Sequence, residues 1–242
     1  MDPLILTLSA AGIAVLHTAL GPDHYLPFAA LGAARRWSVA RTLTITAICG
    51  VGHVVASLVL AAIALGAGSV AMQLTGITEV RGDIAAWLMV AFGVAYALYG
   101  LKFILREINS HSHAHAHADG TQHAHGHQHH AGHLHPHVAL DEAAARKQGV
   151  VAVGWALFII FLFGPCEPLI PLVMAPASQG AWLTVVSVVG VFAVTTIGTM
   201  LAIVWVLASG LARAPALRAS AYVHSAAGAT VAACGAAMLL GL

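Results

Sequence analysis

Charge is what this sequence has least of. Lys and Arg together number 10 and Asp and Glu 9 in 242 residues, or 8% of the chain, against 60% hydrophobic residues and a mean hydropathy of +0.87. An ordinary soluble domain carries about a quarter charged residues, so this composition leaves no room for a folded soluble unit. Cysteine is nearly absent as well. Cys49, Cys166 and Cys234 are scattered and form no Cys-x-x-Cys pair, which speaks against a disulfide framework. No Walker-type phosphate-binding loop is present, so any work the chain does must draw on a gradient or a partner. Neither enzymatic activity, nor a cofactor, nor a nucleic-acid partner is expected.

What fills the space instead is apolar. Runs of about 20 apolar residues, each long enough to cross a bilayer core, recur along the chain. They predict an all-α polytopic membrane protein of about six transmembrane helices, at roughly 4–31, 40–66, 82–105, 149–175, 181–208 and 221–241. The apolar stretch after Met1-Asp2-Pro3 has no basic leader before it and carries His17 and Asp23, so it is read as a retained first span. Arg35, Arg36 and Arg41 lie around the first loop, Lys102, Arg106, Arg146 and Lys147 flank the third, and Arg213 and Arg218 sit in the fifth. Only Arg81 falls on the other side, beside Glu79 and Asp83. Positive charge accumulates on the cytoplasmic side, which places these three loops in the cytoplasm and both termini outside, in a cytoplasmic membrane of bacterial type.

Shifted by 143 positions, the sequence partly matches itself. LGPDHYLPFAALGAA (20–34) falls on FGPCEPLIPLVMAPA (163–177), with Gly21-Pro22 on Gly164-Pro165, Asp23 on Cys166 and His24 on Glu167. The same shift places His53 on Thr196. The expected organisation is therefore a first three-helix repeat over 1–106, a histidine-rich loop over 107–147 and a second three-helix repeat over 148–242. Three spans is an odd number, so the halves would enter the membrane in opposite senses. Transporters built from inverted repeats place their site at the repeat interface, on interrupted helices, and Gly-Pro is such an interruption.

Asp23 and Glu167 are the carboxylates that fall within the spans away from their ends, each just after a Gly-Pro break. An acid in hydrocarbon costs at least about 2.5–3.5 kcal/mol, so such residues face an interior and mark a function. His17, His24 and His53 accompany them, Cys166 adds a soft donor, and Thr196 adds a hydroxyl. Imidazole, carboxylate and thiolate are ligands for late first-row divalent ions. Taken singly, His53 could serve as a hydrogen-bonding group between helices and Cys166 as a small buried hydrophobe. His224, near the start of the sixth span, is left out of the site as interfacial.

Residues 111–137 hold twelve of the sixteen histidines: His111, His113, His115, His117, His123, His125, His127, His129, His130, His133, His135 and His137. With little to bury, and with Gly and Pro, the segment reads as disordered and its composition as metal-binding. His-x-His spacing sets alternate imidazoles on one side of an extended chain. A floppy tract imposes no coordination geometry, so it is read as an auxiliary store of metal rather than the selective site.

These features resemble the nickel/cobalt transporter superfamily, with its NicO-type and UreH-like members. HTALGPDH resembles that family's His-Asp-His signature in the first span, with five residues rather than four between His17 and Asp23. GVGHVV, which carries His53, resembles its second-span Gly-His motif. FGPCEPLIPL and the long histidine loop resemble features of its efflux members. The resemblance implies Ni²⁺, with Co²⁺ as a second ion, and His17, Asp23, His24 and His53 as ligands. The residues alone support a divalent transition metal. The expected function is a secondary transporter, with protons as the coupling ion where export is the direction; import would run down the membrane potential, worth about 4.6 kcal/mol per divalent ion at about 100 mV. Two other readings are a membrane accessory or sensor that binds metal without moving it, and a membrane thiol-electron carrier, which needs two cysteines able to meet.

Overall fold

Glycine and proline decide where the helices stop. Helix α1 (Pro3–Leu20) opens on Asp2, whose carboxylate accepts the Leu4 amide at 2.9 Å, and on Pro3, placed where no amide proton is needed. It ends at Gly21-Pro22, because Pro22 has no N–H with which to continue the ladder. One 3₁₀ turn follows, Pro22–His24, and the chain resumes as α2 (Leu26–Ala34). Then come α3 (Val39–Gly66), α4 (Ala71–Asn109), α5 (Glu142–Phe163), α6 (Leu169–Ser178), α7 (Trp182–Ala212) and α8 (Val223–Leu239). The computed structural model describes residues 2–66, 71–109, 111–116, 122–127, 142–164, 168–214, 220 and 222–241. Apart from one short hairpin in the histidine segment, every regular element among them is helical.

Among the described residues, four helices are long and apolar enough to cross a membrane: α1, α7, and the stretches Val39–Ile63 of α3 and Glu79–Leu105 of α4. Shorter apolar stretches run over Gly149–Phe163, Leu169–Ser178 and Val223–Leu239. The first and fourth expected spans are each broken in two, α1 from α2 and α5 from α6. The outward face is apolar: Leu183 is 83% exposed, Val194 73% and Trp155 60%. The interior packs Phe28, Leu157 and Phe192, and it also holds Thr18, Thr42, Thr46, His24, His53, Ser57 and Thr196. A surface of large apolar side chains is what a hydrocarbon solvent selects. The chain is a membrane-embedded protein.

The closest helix pair is α4 with α8. Gly93 and Gly100 on α4, and Gly228 and Gly235 on α8, recur seven apart, so each pair lies on one face. A Cβ on Gly93 would collide with the Ala232 nitrogen, and one on Gly228 with the Ala97 nitrogen. Backbone meets backbone there, and the Ser225 hydroxyl donates to the Ala97 carbonyl at 3.1 Å. At one end of this pair Arg35, at the end of α2, donates from Nε to the Tyr96 hydroxyl at 3.0 Å. That hydroxyl lies 3.0 Å from His224 Nδ1, whose ring stacks on Phe103 at 4.9 Å. His224 is thus engaged away from the other span histidines.

Element boundaries recur along the chain. α1 ends at Leu20 and α5 at Phe163; α2 begins at Leu26 and α6 at Leu169; α3 begins at Val39 and α7 at Trp182. Each pair is 143 residues apart, the offset at which the sequence matches itself.

Candidate metal centre

Three elements bring three imidazoles together. His17 lies in the last turn of α1, His24 in the 3₁₀ turn and His53 midway along α3. The His17 and His24 rings are 4.7 Å apart and those of His24 and His53 5.5 Å apart. One ligand nitrogen from each lies within 4.8 Å of the other two. Gly21 is extended, with φ −87° and ψ 94°, and the 3₁₀ turn after it folds the chain back so that His24 meets His17. Gly21 is needed for this fold-back: a Cβ there would come 2.7 Å from His24 Nδ1 and 2.8 Å from Asp23 Oδ1.

The hydrogen bonds assign the ring nitrogens. His53 Nδ1 lies 3.1 Å from the Phe161 carbonyl oxygen, which can only accept, so Nδ1 carries the proton and Nε2 the lone pair. His24 Nδ1 lies 3.1 Å from Asp23 Oδ2 and 3.2 Å from the Gly21 carbonyl oxygen, both acceptors, with the same consequence. Among the described residues, Nε2 of His17, His24 and His53 is buried with no hydrogen-bond partner. Buried polar atoms normally find partners, and unpartnered imidazole nitrogens gathered in one place are an arrangement that a cation completes. Phe161 walls the centre, its ring 6.5 Å from His24, 6.2 Å from His53 and 4.7 Å from the buried Phe28.

The other expected site residues fall out differently. Asp23 reaches the back of His24 and orients it; it is not among the three donors that converge. Thr196 is fully buried on α7, its hydroxyl without a partner among the described residues, as is that of Thr18 on α1. Cys166 and Glu167 lie outside the described residues. Cys49 and Cys234 are buried and free. Two participants were not anticipated. The Phe161 carbonyl has no residue-type signature, and Arg81 reaches the α5 break, although its place beside Glu79 and Asp83 suggested a flanking charge.

In the histidine segment, residues His111–Ala116 and Gln122–His127 pair antiparallel, where composition alone led to an expectation of disorder. The register sets His111 opposite His127, His113 opposite His125 and His115 opposite His123. His117, His129, His130, His133, His135 and His137 lie outside the described residues. Deleting 111–137 is expected to lower the number of Ni²⁺ ions bound per protein, measured by equilibrium dialysis, while leaving the order of preference among Ni²⁺, Co²⁺ and Zn²⁺ unchanged. A reversed order after deletion would make the loop part of the selective site.

Comparison with protein-family models, with curated proteins and with solved structures gave no match.

Proposed function

We propose that this protein is a secondary transporter that carries a divalent transition-metal ion, Ni²⁺ and then Co²⁺, across a cytoplasmic membrane. The observation that carries the reading is the gathering of His17, His24 and His53 beside the breaks in two helices, with one ring nitrogen of each within 4.8 Å of the others and, among the described residues, each Nε2 buried without a partner. Imidazole suits nickel, zinc and copper, and the choice of Ni²⁺ and Co²⁺ within that group rests on the resemblance of the HTALGPDH and GVGHVV segments.

The architecture that goes with this function is two inverted three-helix repeats, with the crossings of the broken pairs counted once each. The recurring boundaries support it, as does the packing: α1 lies against α7 while its counterpart α5 lies against α3, and α2 touches α7 while α6 touches α3. Depth supports a shared central site. His17 is about 21 Å along α1 from its start, and His53 about 21 Å along α3 from its start. If those starts lie at opposite faces, the two distances together match the roughly 40–45 Å of a whole bilayer, and the residues meet near its middle. The positive-inside bias sets the termini outside and the histidine segment in the cytoplasm.

The test is flux. Purified protein in sealed vesicles, offered Ni²⁺, Co²⁺ and Zn²⁺ with a proton gradient imposed in either direction, is expected to move Ni²⁺ and Co²⁺, with a rate that changes with the sign of the gradient. Metal that binds but never crosses would reduce the protein to a membrane metal-binding accessory.

A further inference from the structure

The break in α5 leaves carbonyls that something must satisfy. The last turn of any helix ends in carbonyls without intrahelical donors, and Pro165 removes one further amide that could have served. In a membrane this cannot be left to water. Gly164 N–H is shared between the Ile160 and Phe161 carbonyls at 3.1 Å each. The remaining donors come from two other helices. His53 Nδ1, from α3, takes the Phe161 carbonyl at 3.1 Å. Arg81 Nη2, from α4, donates to the Leu162 carbonyl at 2.9 Å and to the Gly164 carbonyl at 3.3 Å. A cation also belongs at a helix C-terminus, where the backbone dipoles leave partial negative charge.

His53 and Arg81 therefore hold the same few residues. A Cβ on Gly164 would stand 3.1 Å from His53 Nδ1, so the carbonyl that Arg81 grips belongs to the residue packed against the imidazole. We infer that Arg81 is a positioning residue for the metal centre: by pinning the broken end of α5 it holds the Phe161 carbonyl on His53 Nδ1, and so keeps His53 Nε2 bare and aimed at the other two imidazoles. Arg81 acts through the Leu162 and Gly164 carbonyls, and through them on the His53 imidazole. The inference rests on the three-imidazole reading for its purpose, but its geometry does not require that an ion be transported.

The test uses the full chain in lipid, with ¹⁵N-labelled histidine and no added metal. The His53 signals are identified as those lost in His53→Gln. In the wild type His53 is expected to show one protonated Nδ1 and one unprotonated Nε2. Arg81→Gln is expected to lose this single form, and Arg81→Lys, which keeps a donor cation, to retain it. In flux measurements Arg81→Gln is expected to raise the Ni²⁺ concentration for half-maximal rate by about tenfold to a hundredfold, the range typical of residues that orient a ligand. Arg81→Lys should stay within a few fold of the wild type. An unchanged His53 spectrum in a folded Arg81→Gln protein would overturn the inference. So would tighter Ni²⁺ binding in that variant, which would make Arg81 a repelling charge instead. A wild type that moves no metal but whose His53 tautomer still depends on Arg81 would sustain the positioning role and remove the transport reading alone.

Discussion

Replacing either His24 or His53 by alanine is expected to lower Ni²⁺ flux at limiting concentration by at least about a hundredfold, because loss of a direct ligand exceeds the roughly 10–100-fold loss seen when only a supporting partner is removed. Each variant takes away one of three nitrogens, and among the described residues no further His, Cys, Asp or Glu ligand joins the group. The buried hydroxyls of Thr18 and Thr196 are weak donors to a late transition metal, and water has little access to residues that are 2–3% exposed. The loss should fall on the half-saturating concentration and on the rate together. Bound Co²⁺ provides a second reading, since its visible absorption should shift when an imidazole is lost. His224→Ala, far from the three rings and engaged with Tyr96, is the matched control and should transport near-normally. Near-normal flux in His53→Ala would leave the histidine cluster a structural hydrogen-bonding group.

Asp23→Asn should cost about tenfold to a hundredfold in the same assay while the protein remains folded, since it removes a supporting partner and changes the shape little. The carboxylate sits 3.1 Å from His24 Nδ1 and does two things there. It accepts the ring proton, which keeps Nε2 bare, and its negative charge makes the imidazole a stronger donor. An asparagine oxygen can still accept that proton, so orientation is largely preserved and the lost charge is isolated as the cause. Flux within a few fold of the wild type would show that the Gly21 carbonyl, 3.2 Å from the same nitrogen, is sufficient to hold His24.

Much of this was legible in the residues, for identifiable reasons. Hydrocarbon forces long apolar runs, so each expected span falls on observed helices, of which four, among the described residues, are long and apolar enough to cross a membrane. Pro22 cannot donate, so the break at Gly21 could be read directly. Histidines within spans are rare enough that His17, His24 and His53 stood out by type alone. The division of labour among them did not. A carboxylate beside an imidazole can be a ligand or the partner that orients one, and only the distance from Asp23 to His24 Nδ1 separates these. The Phe161 carbonyl is a backbone atom that every residue has. The glycines at 93, 100, 228 and 235 were present as a seven-residue spacing, but small residues are common in such helices, and the spacing does not say which helix faces which. The hairpin of the histidine segment escaped for a different reason: its pairing is made by main-chain hydrogen bonds, which composition does not report.

The short helix α2 links two places that otherwise have nothing in common. It starts just beyond the turn that carries His24, and it ends at Arg35, whose guanidinium holds the Tyr96 hydroxyl. Its nine residues form a rod about 14 Å long with Gly21 near one end as the pivot. A swing of about 10° would carry the far end more than about 2 Å, beyond what a hydrogen bond tolerates. A shift of the turn that carries His24 is passed along this rod to Arg35, and so to its contact with Tyr96.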